Sequence, residues 1–461
     1  MISADKEKAP YQLRESRRVL IDIAAMLIYV FGVYGWSLWL WPLGRDYAAL
    51  ASQGAGMPLG ARQIFAWEIE SFGNWAVGYH LVNIILVYLA MVLIYKFVKV
   101  VLRGPHWLGT LAATLFMANP VHSEAVLNLS GVGDLFPFVL ALTALTAYVT
   151  GVASGKMVWS LVALAAFAMA VVSSAVYAFL VAVLLLYELL MLSKEKRSLK
   201  RIAPFLVLSV ASWFVHADSL FNSVNVTRMF SPVYFIFYPL GFLPETALAY
   251  VQTPWLGWIS ALTVIALAVL IYRATSHRAM LFGLLGMVAL RLLQDETFID
   301  PVHLSGGGEL LLPNVLFNLA VVTLFYRMMS HPKWRHPVVI LTTFLCAVFF
   351  SLQIQTIWKW EHAGQVVREF QQGVAAAEGP VGVLPDYLHY RGAPVALSES
   401  IRFDTPFSVQ HDYKSLLWLN YSKALQVKEQ APNVFRFQGT APLELVPYPF
   451  TLADKGNRVE T

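Results

Sequence analysis

Apolar positions along this chain run in long blocks rather than in alternation or heptads. A helix needs about 20 apolar residues to cross the hydrocarbon core of a bilayer. Blocks that can do so lie near 19–41, 79–101, 105–119, 134–152, 157–173, 175–193, 202–217, 256–273, 279–294, 310–327 and 338–354. The segment 232–250 is also apolar, but Pro239 and Pro244 interrupt it, which suits an interfacial or re-entrant piece. Beyond 355 the blocks stop. Residues 359–378 read as a helix continuing outward, while Val381–Leu384, Val395–Leu397 and Phe435–Val446 are strand-like between Pro and Gly. The pattern therefore predicts an all-α polytopic membrane protein of about eleven transmembrane helices. A short tail (1–18) precedes the transmembrane domain (19–354), and a small α+β domain (355–461) follows it.

Composition agrees. Of 461 residues, 58% are hydrophobic and 13% charged, with a mean hydropathy of +0.60. Soluble domains carry about 25% charged residues, so lipid is the expected solvent. The 14 Trp, 20 Tyr and 29 Phe suit aromatic belts at two interfaces. One cysteine, Cys346, excludes an internal disulfide and a thiolate metal cluster and reads as a small buried hydrophobe. Arg14, Arg17 and Arg18 before the apolar run Val19–Leu43 look like a signal peptide. The run is too long, is rich in Trp and Tyr and has no small-residue cleavage site, so it is expected to stay as the first span.

Charge sets the orientation. Alternate loops hold Arg14, Arg17 and Arg18; Lys96, Lys99 and Arg103; Lys156; Lys194 to Arg201; Arg273 and Arg278; and Arg327, Lys333 and Arg335. The opposite loops hold Arg45, Arg62 and Arg228. The positive-inside rule places the first set, and the N-terminus, in the cytoplasm. An odd number of spans then puts the C-terminus outside, in a bacterial inner (plasma) membrane. The net charge of +5 is explained by this topology, without a nucleic-acid partner. The basic loops read as topology determinants only. The outside loops are long and carry the unusual residues, so function is expected there.

Those outside loops contain familiar passages. Met57-Pro58-Leu59, then Ile69-Glu70-Ser71-Phe72-Gly73 and Gly78-Tyr79-His80-Leu81-Val82-Asn83, resemble the RPL…LFG…GYHLVN passage of the GT-C glycosyltransferase superfamily. Leu115-Phe116-Met117-Ala118-Asn119-Pro120-Val121-His122-Ser123-Glu124-Ala125-Val126 is similar to its LFALHPVHTEAV stretch. Ser130-Gly131-Val132-Gly133-Asp134-Leu135 resembles SGRxDLL, and Phe237 to Leu243 resembles FPLGLS. The group most resembled is the branch that includes the TMTC-type and PMT-like O-mannosyltransferases, here without a TPR tail. The resemblance covers residues 19–330 in order.

It implies transfer of a sugar from a polyprenyl-phosphate donor to an acceptor on the outer face. Family members use a first-loop carboxylate as base, and some branches use a divalent metal. Several positions depart from the family pattern. The acidic pair is reduced to Arg45-Asp46, the Arg of RPL is Met57, the His of HP is Asn119, the basic residue of SGRxD is Val132, and SKE is Ser173-Ser174-Ala175.

Each candidate residue carries two readings. Asp46 is the remaining candidate base or a solvated loop carboxylate beside Arg45. His80 and Asn83, three apart, share a helix face that either lines a cavity or holds the second span against the fourth. His122 and Glu124 either join Asp46 at a metal or belong to a structural network. Asp134 either lines the donor site or simply answers a helix N-terminus. Arg291 either holds a lipid phosphate or pairs with Asp295. Glu68 and Glu70 read as the polar face of an amphipathic stretch. Gly306-Gly307-Gly308 is a turn, with no strand before it to make a phosphate loop. The leading function is a membrane glycosyltransferase acting on a polyprenyl-linked sugar, and the rival is a scaffold or accessory subunit that kept the fold. A transporter is disfavoured by the missing inverted repeat and the scarcity of mid-membrane charge.

Overall fold

The computed structural model describes residues 4–43, 46, 49–50, 53–54, 57–73, 75–215, 278–292, 307–376, 389–390, 393–394, 426–431, 434–438 and 442–444. Among them the chain is a helical bundle. Its helices are α1 (Ala4–Tyr34), α2 (Leu59–Phe72), α3 (Ala76–Leu102), α4 (His106–Ala118), α5 (Ser123–Leu127), α6 (Val132–Ser154) and α7 (Met157–Ser173). There follow α8 (Leu180–Met191), α9 (Ala203–Val215), α10 (Arg278–Leu292), α11 (Leu311–Met329) and α12 (Pro332–Ala376). Five stretches are long and apolar enough to cross a membrane: Arg17–Trp39, Ala76–Leu102, Leu129–Ser154, Leu311–Met329 and Pro332–His362. The other apolar segments predicted in the described chain are shorter helices, and 232–250 and 256–273 lie outside the described residues.

Burial sorts these helices. The apolar windows of α6 and α11 are each 67% buried, whereas those of α12 and α1 are 11% and 22% buried. So α6 is central, packed on α7, α3 and α2, while α1 and α12 flank the bundle and offer Ile28, Phe31, Ile340 and Phe344 outward. Glycine allows one close helix contact. A Cβ on Gly283 of α10 would stand 2.5 Å from the Leu316 carbonyl oxygen of α11. Small residues at such crossings let membrane helices approach until their backbones touch.

The short helix α2 lies beside the bundle with Leu59 and Trp67 exposed and Ala61, Phe65 and Glu68 buried. The sequence placed Glu68 on a polar face, and the structure corrects this. Only Glu70 is exposed, while Glu68 falls on the i, i+4, i+7 stripe that packs inward.

Basic residues from distant segments meet at one end of the bundle. Arg103 and Arg201 both lie near Tyr187, and Arg18 borders a cleft whose His106 is approached by Lys99. Here the basic loops are more than topology signals. Glu188 of α8 is fully buried. It accepts a hydrogen bond from the Tyr148 hydroxyl at 2.7 Å and one from the Ser198 N–H at 2.9 Å. Arg201 pairs with it at 3.3 Å. A buried charge inside a predicted span was not expected, and it ties the 193–201 loop to the bundle.

Beyond the bundle, α12 continues to Ala376 as expected. The two-residue strands β1 (His389–Tyr390) and β2 (Ala393–Pro394) form a hairpin packed on α12. A meander joins β3 (Gln426–Ala431), β4 (Val434–Gln438) and β5 (Pro442–Glu444), all antiparallel. The single strand expected over 435–446 is thus two strands, β4 and β5. The strands expected at 381–384 and 395–397 lie outside the described residues.

Candidate functional site

The connection from α4 to α6 builds the site. Pro120 cannot continue α4 and disfavours a helical Asn119, so the chain turns. It makes a tight turn at Pro120–His122, the short α5 and a second tight turn at Leu129–Gly131. The loop is buried nearly throughout, although connections normally lie at a surface. Glycine at 131 is required by packing. A Cβ there would stand 2.1 Å from the Ala125 carbonyl oxygen and 2.9 Å from Nδ2 of Asn83.

Asp46 locks this loop to the segment after α1. It is 1% exposed. Its Oδ1 accepts the Ser130 N–H at 2.9 Å and the Ser130 hydroxyl at 2.7 Å. Its Oδ2 accepts the N–H of Leu129 at 3.0 Å and that of Leu43 at 3.1 Å. Asp46 is therefore not solvated, and both oxygens are engaged. To take a proton from an acceptor it would first have to release a donor, most readily the Ser130 hydroxyl, which can rotate.

His80 and Asn83 start α3 on the same side, as their spacing predicts. Asn83 Nδ2 donates to the Asn128 carbonyl at 2.8 Å and to the Val126 carbonyl at 3.4 Å. So Asn83 ties α3 to the loop ahead of α6, not to the body of that span. His80 is buried beside Asp46 and the Leu40 carbonyl. Neither of its ring nitrogens completes a hydrogen bond among the described residues.

His122 meets α11, with Nε2 against Asn314 Nδ2, and its ring stacks on Phe116 at 4.5 Å. The neighbouring Ser123 hydroxyl reaches Gln353 Oε1 of α12 at 3.2 Å. Glu124 is buried in α5. Among the described residues no three His, Cys, Asp or Glu side chains converge as a metal would need, so Asp46, His122 and Glu124 do not form a joint ligand set there. The space beside His122, walled by Tyr34, Phe138 and Leu311, is ≈ 10 Å³, room for one water at most.

Asp134 sits in the first turn of α6, half-buried. The Gly307–Leu310 turn covers it so closely that a Cβ on Gly308 would lie 2.7 Å from the Asp134 carboxyl carbon. The glycine triplet is thus partly explained as a lid on this carboxylate. Arg291 lies in the last turn of α10, and its side chain, with Asp295 and Glu296, lies outside the described residues.

In Glu68, both carboxyl oxygens are buried without a partner among the described residues. Burial pushes its carboxyl up to about 8. The sequence pattern singled out neither Asn314 nor Gln353, showed Ser130 only as part of a motif, and put Glu68 on the wrong face. The available signal was polar side chains inside or beside predicted spans, which rarely point at lipid.

No protein-family model and no curated protein matches the chain. Solved structures resemble it, among them the following two. The crystal structure of ArnT from Cupriavidus metallidurans bound to undecaprenyl phosphate aligns with a TM-score of 0.44 and 14% identity, over 78% of this chain and 72% of that one. The crystal structure of the Archaeoglobus fulgidus oligosaccharyltransferase in the apo form aligns with a TM-score of 0.46 and 10% identity, over 85% of this chain. The chain spans 65% of that archaeal protein's length.

Proposed function

We propose that this integral membrane protein is a glycosyltransferase of the GT-C kind, moving a sugar from a polyprenyl-phosphate-linked donor to an acceptor on the outer face. The observation that carries this reading is convergence. The first-loop carboxylate, the GYHLVN-like start of α3 and the SGVGD turn are far apart in sequence yet are joined by the Asp46–Ser130 and Asn83–Asn128 hydrogen bonds. Those are the passages whose resemblance points to the superfamily. In this reading the N-terminus is cytoplasmic and the C-terminus extracytoplasmic, in a bacterial plasma membrane.

The chemistry is a displacement at the anomeric carbon. The acceptor oxygen bonds to that carbon, the bond to the donor phosphate breaks, and polyprenyl phosphate departs with the electron pair. Asp46, freed from the Ser130 hydroxyl, takes the acceptor proton. Arg291 is assigned to the departing phosphate, which a guanidinium can hold at two oxygens. Asp134 lines the donor side beneath the glycine turn. His80, Asn83, His122 and Glu124 position the loop that carries Ser130.

A second reading, a scaffold or accessory subunit, is favoured by one observation: all the hydrogen bonds that hold Asp46 are internal to the fold. The two readings separate when purified protein in nanodiscs is given polyprenyl-phosphate-linked sugars and release of polyprenyl phosphate is followed. The enzyme reading expects release by wild type and a fall of about 10²–10⁴-fold per folded molecule in Asp46→Asn. Release that persists undiminished in folded Asp46→Asn removes Asp46 as base. No release from any lipid-linked sugar supplied, by protein that still rescues a deletion strain, supports the scaffold.

A further inference from the structure

At the basic end, away from the site above, α1, α4 and α12 enclose a cleft of ≈ 800 Å³, within the usual range for small-ligand sites. Its walls include Ile21, Leu111 and Val339, and its polar lining includes Arg18, Asp22 and His106. The cleft opens beside the least buried helices of the bundle, where Val339 and Ile340 are exposed. Its natural neighbour is a lipid rather than a soluble molecule.

The polar wall is constructed. Lys99 Nζ lies 3.4 Å from Nε2 of His106, Nδ1 of His106 lies 2.6 Å from the Tyr95 hydroxyl, and that hydroxyl donates to Asp22 Oδ2 at 3.4 Å. With Lys99 donating to Nε2, the ring carries its proton on Nδ1 and gives it to Tyr95, whose own hydroxyl proton goes to Asp22. The chain fixes a carboxylate at the wall with a cation behind it. Arg18 stands one turn before Asp22 on α1, on the same face, and both border the cleft. A guanidinium and a carboxylate one helical turn apart on one wall offer donors to a phosphate and an acceptor to an ammonium joined to it by a short linker.

We propose that this cleft binds a phospholipid of the surrounding leaflet with an ethanolamine head, its phosphate on Arg18, its ammonium on Asp22 and an acyl chain along Leu111 and Val339. Arg18 supplies two parallel donors to phosphate oxygens. Asp22 accepts from a primary ammonium but not from a quaternary one, which has no N–H.

The test is lipid retention by the purified full chain, delipidated and then exposed to matched ethanolamine, choline and glycerol phospholipids, read by native mass spectrometry. The expected result is retention of the ethanolamine lipid at least about tenfold above the choline lipid, the discrimination of one charge-assisted hydrogen bond. Asp22→Asn should erase that preference, Arg18→Gln should lower retention of all three, and Val339→Trp, at an exposed position, should block the cleft without unfolding the bundle. Soluble glycerophosphoethanolamine should not compete at matched concentration; full competition would make the occupant a free head group and overturn the lipid assignment. Equal retention of ethanolamine and choline lipids by wild type, or a preference unchanged in both Asp22→Asn and Val339→Trp, would also overturn it.

Discussion

Ser130 donates twice to one oxygen of Asp46, through its N–H at 2.9 Å and its hydroxyl at 2.7 Å, across 84 positions of sequence. The contact closes the segment after α1 onto the turn before α6. Because both oxygens of Asp46 are fully engaged, a change here acts on structure and chemistry together, and a test has to separate the two.

Ser130→Ala removes the hydroxyl and leaves the three N–H donors in place. A hydrogen bond to a charged group contributes about 1.5–3 kcal/mol, so a loss near the lower end of that range is expected. Asp46→Asn should cost more, because its amide turns a donor toward the N–H groups of Leu43 and Leu129 or of Ser130. Thermal midpoints in nanodiscs should rank wild type above Ser130→Ala above Asp46→Asn. Equal midpoints for all three would mean that the loop is held by other contacts.

Gly131 gives a sharper structural test. A Cβ there meets the Ala125 carbonyl oxygen at 2.1 Å, and that oxygen is backbone within a buried loop. Overpacking usually costs about 1–3 kcal/mol, and this site should lie at the upper end. Gly131→Ala should yield markedly less folded protein than Gly155→Ala, where a Cβ meets nothing within 4 Å, although φ is +69° there. Similar yields for both would argue that the 119–131 loop repacks freely.

Glu68 predicts a pH signature with a defined sign. Its carboxyl is raised from 4.5 to about 8 by burial. The folded state therefore holds its proton more tightly than the unfolded chain does. Its contribution to stability is complete below about 4.5, falls as pH rises toward about 8 and levels off above that. Glu68→Gln has no charge to bury and should lack this decline. Thermal midpoints of both proteins across that window should diverge as pH rises, with the variant above wild type. Parallel curves would mean that burial does not disfavour the Glu68 carboxylate in the intact protein.

Among the described residues helices lie where the apolar runs were read, five of them long and apolar enough to cross a membrane, because burial in lipid demands long apolar runs. The GYHLVN-like and SGVGD passages were also legible as belonging to one site. The use made of Asp46 was not. Its donors are backbone N–H groups of Leu129, Ser130 and Leu43 and one hydroxyl, and backbone donors leave no mark in side-chain pattern. The amides Asn314 and Gln353 were visible as polar residues inside predicted spans, but their partners His122 and Ser123 lie 192 and 230 positions away. Glu188 was hidden differently. One acidic residue inside an apolar run carries no information about which loop will supply its cation.

That last pair makes the strongest stability prediction. Glu188 is fully buried. Arg201 meets Oε1 at 3.3 Å, with Tyr148 and Ser198 completing the carboxylate's partners. Removing one partner of a buried pair leaves an uncompensated charge, typically at a cost of about 3–5 kcal/mol. Arg201 is 34% exposed at its side chain, so water would partly screen the orphaned Glu188 and the loss in Arg201→Met should lie at or below the lower end. Glu188→Met leaves only a partly exposed Arg201, which can turn toward water, together with a buried tyrosine hydroxyl lacking its acceptor. The double variant Glu188→Met, Arg201→Met should therefore be more stable than Arg201→Met alone, because the buried charge has gone. A double-mutant cycle on thermal midpoints measures this directly. A double variant with the summed loss of both singles would show that the two side chains act independently and that the 193–201 loop is anchored elsewhere.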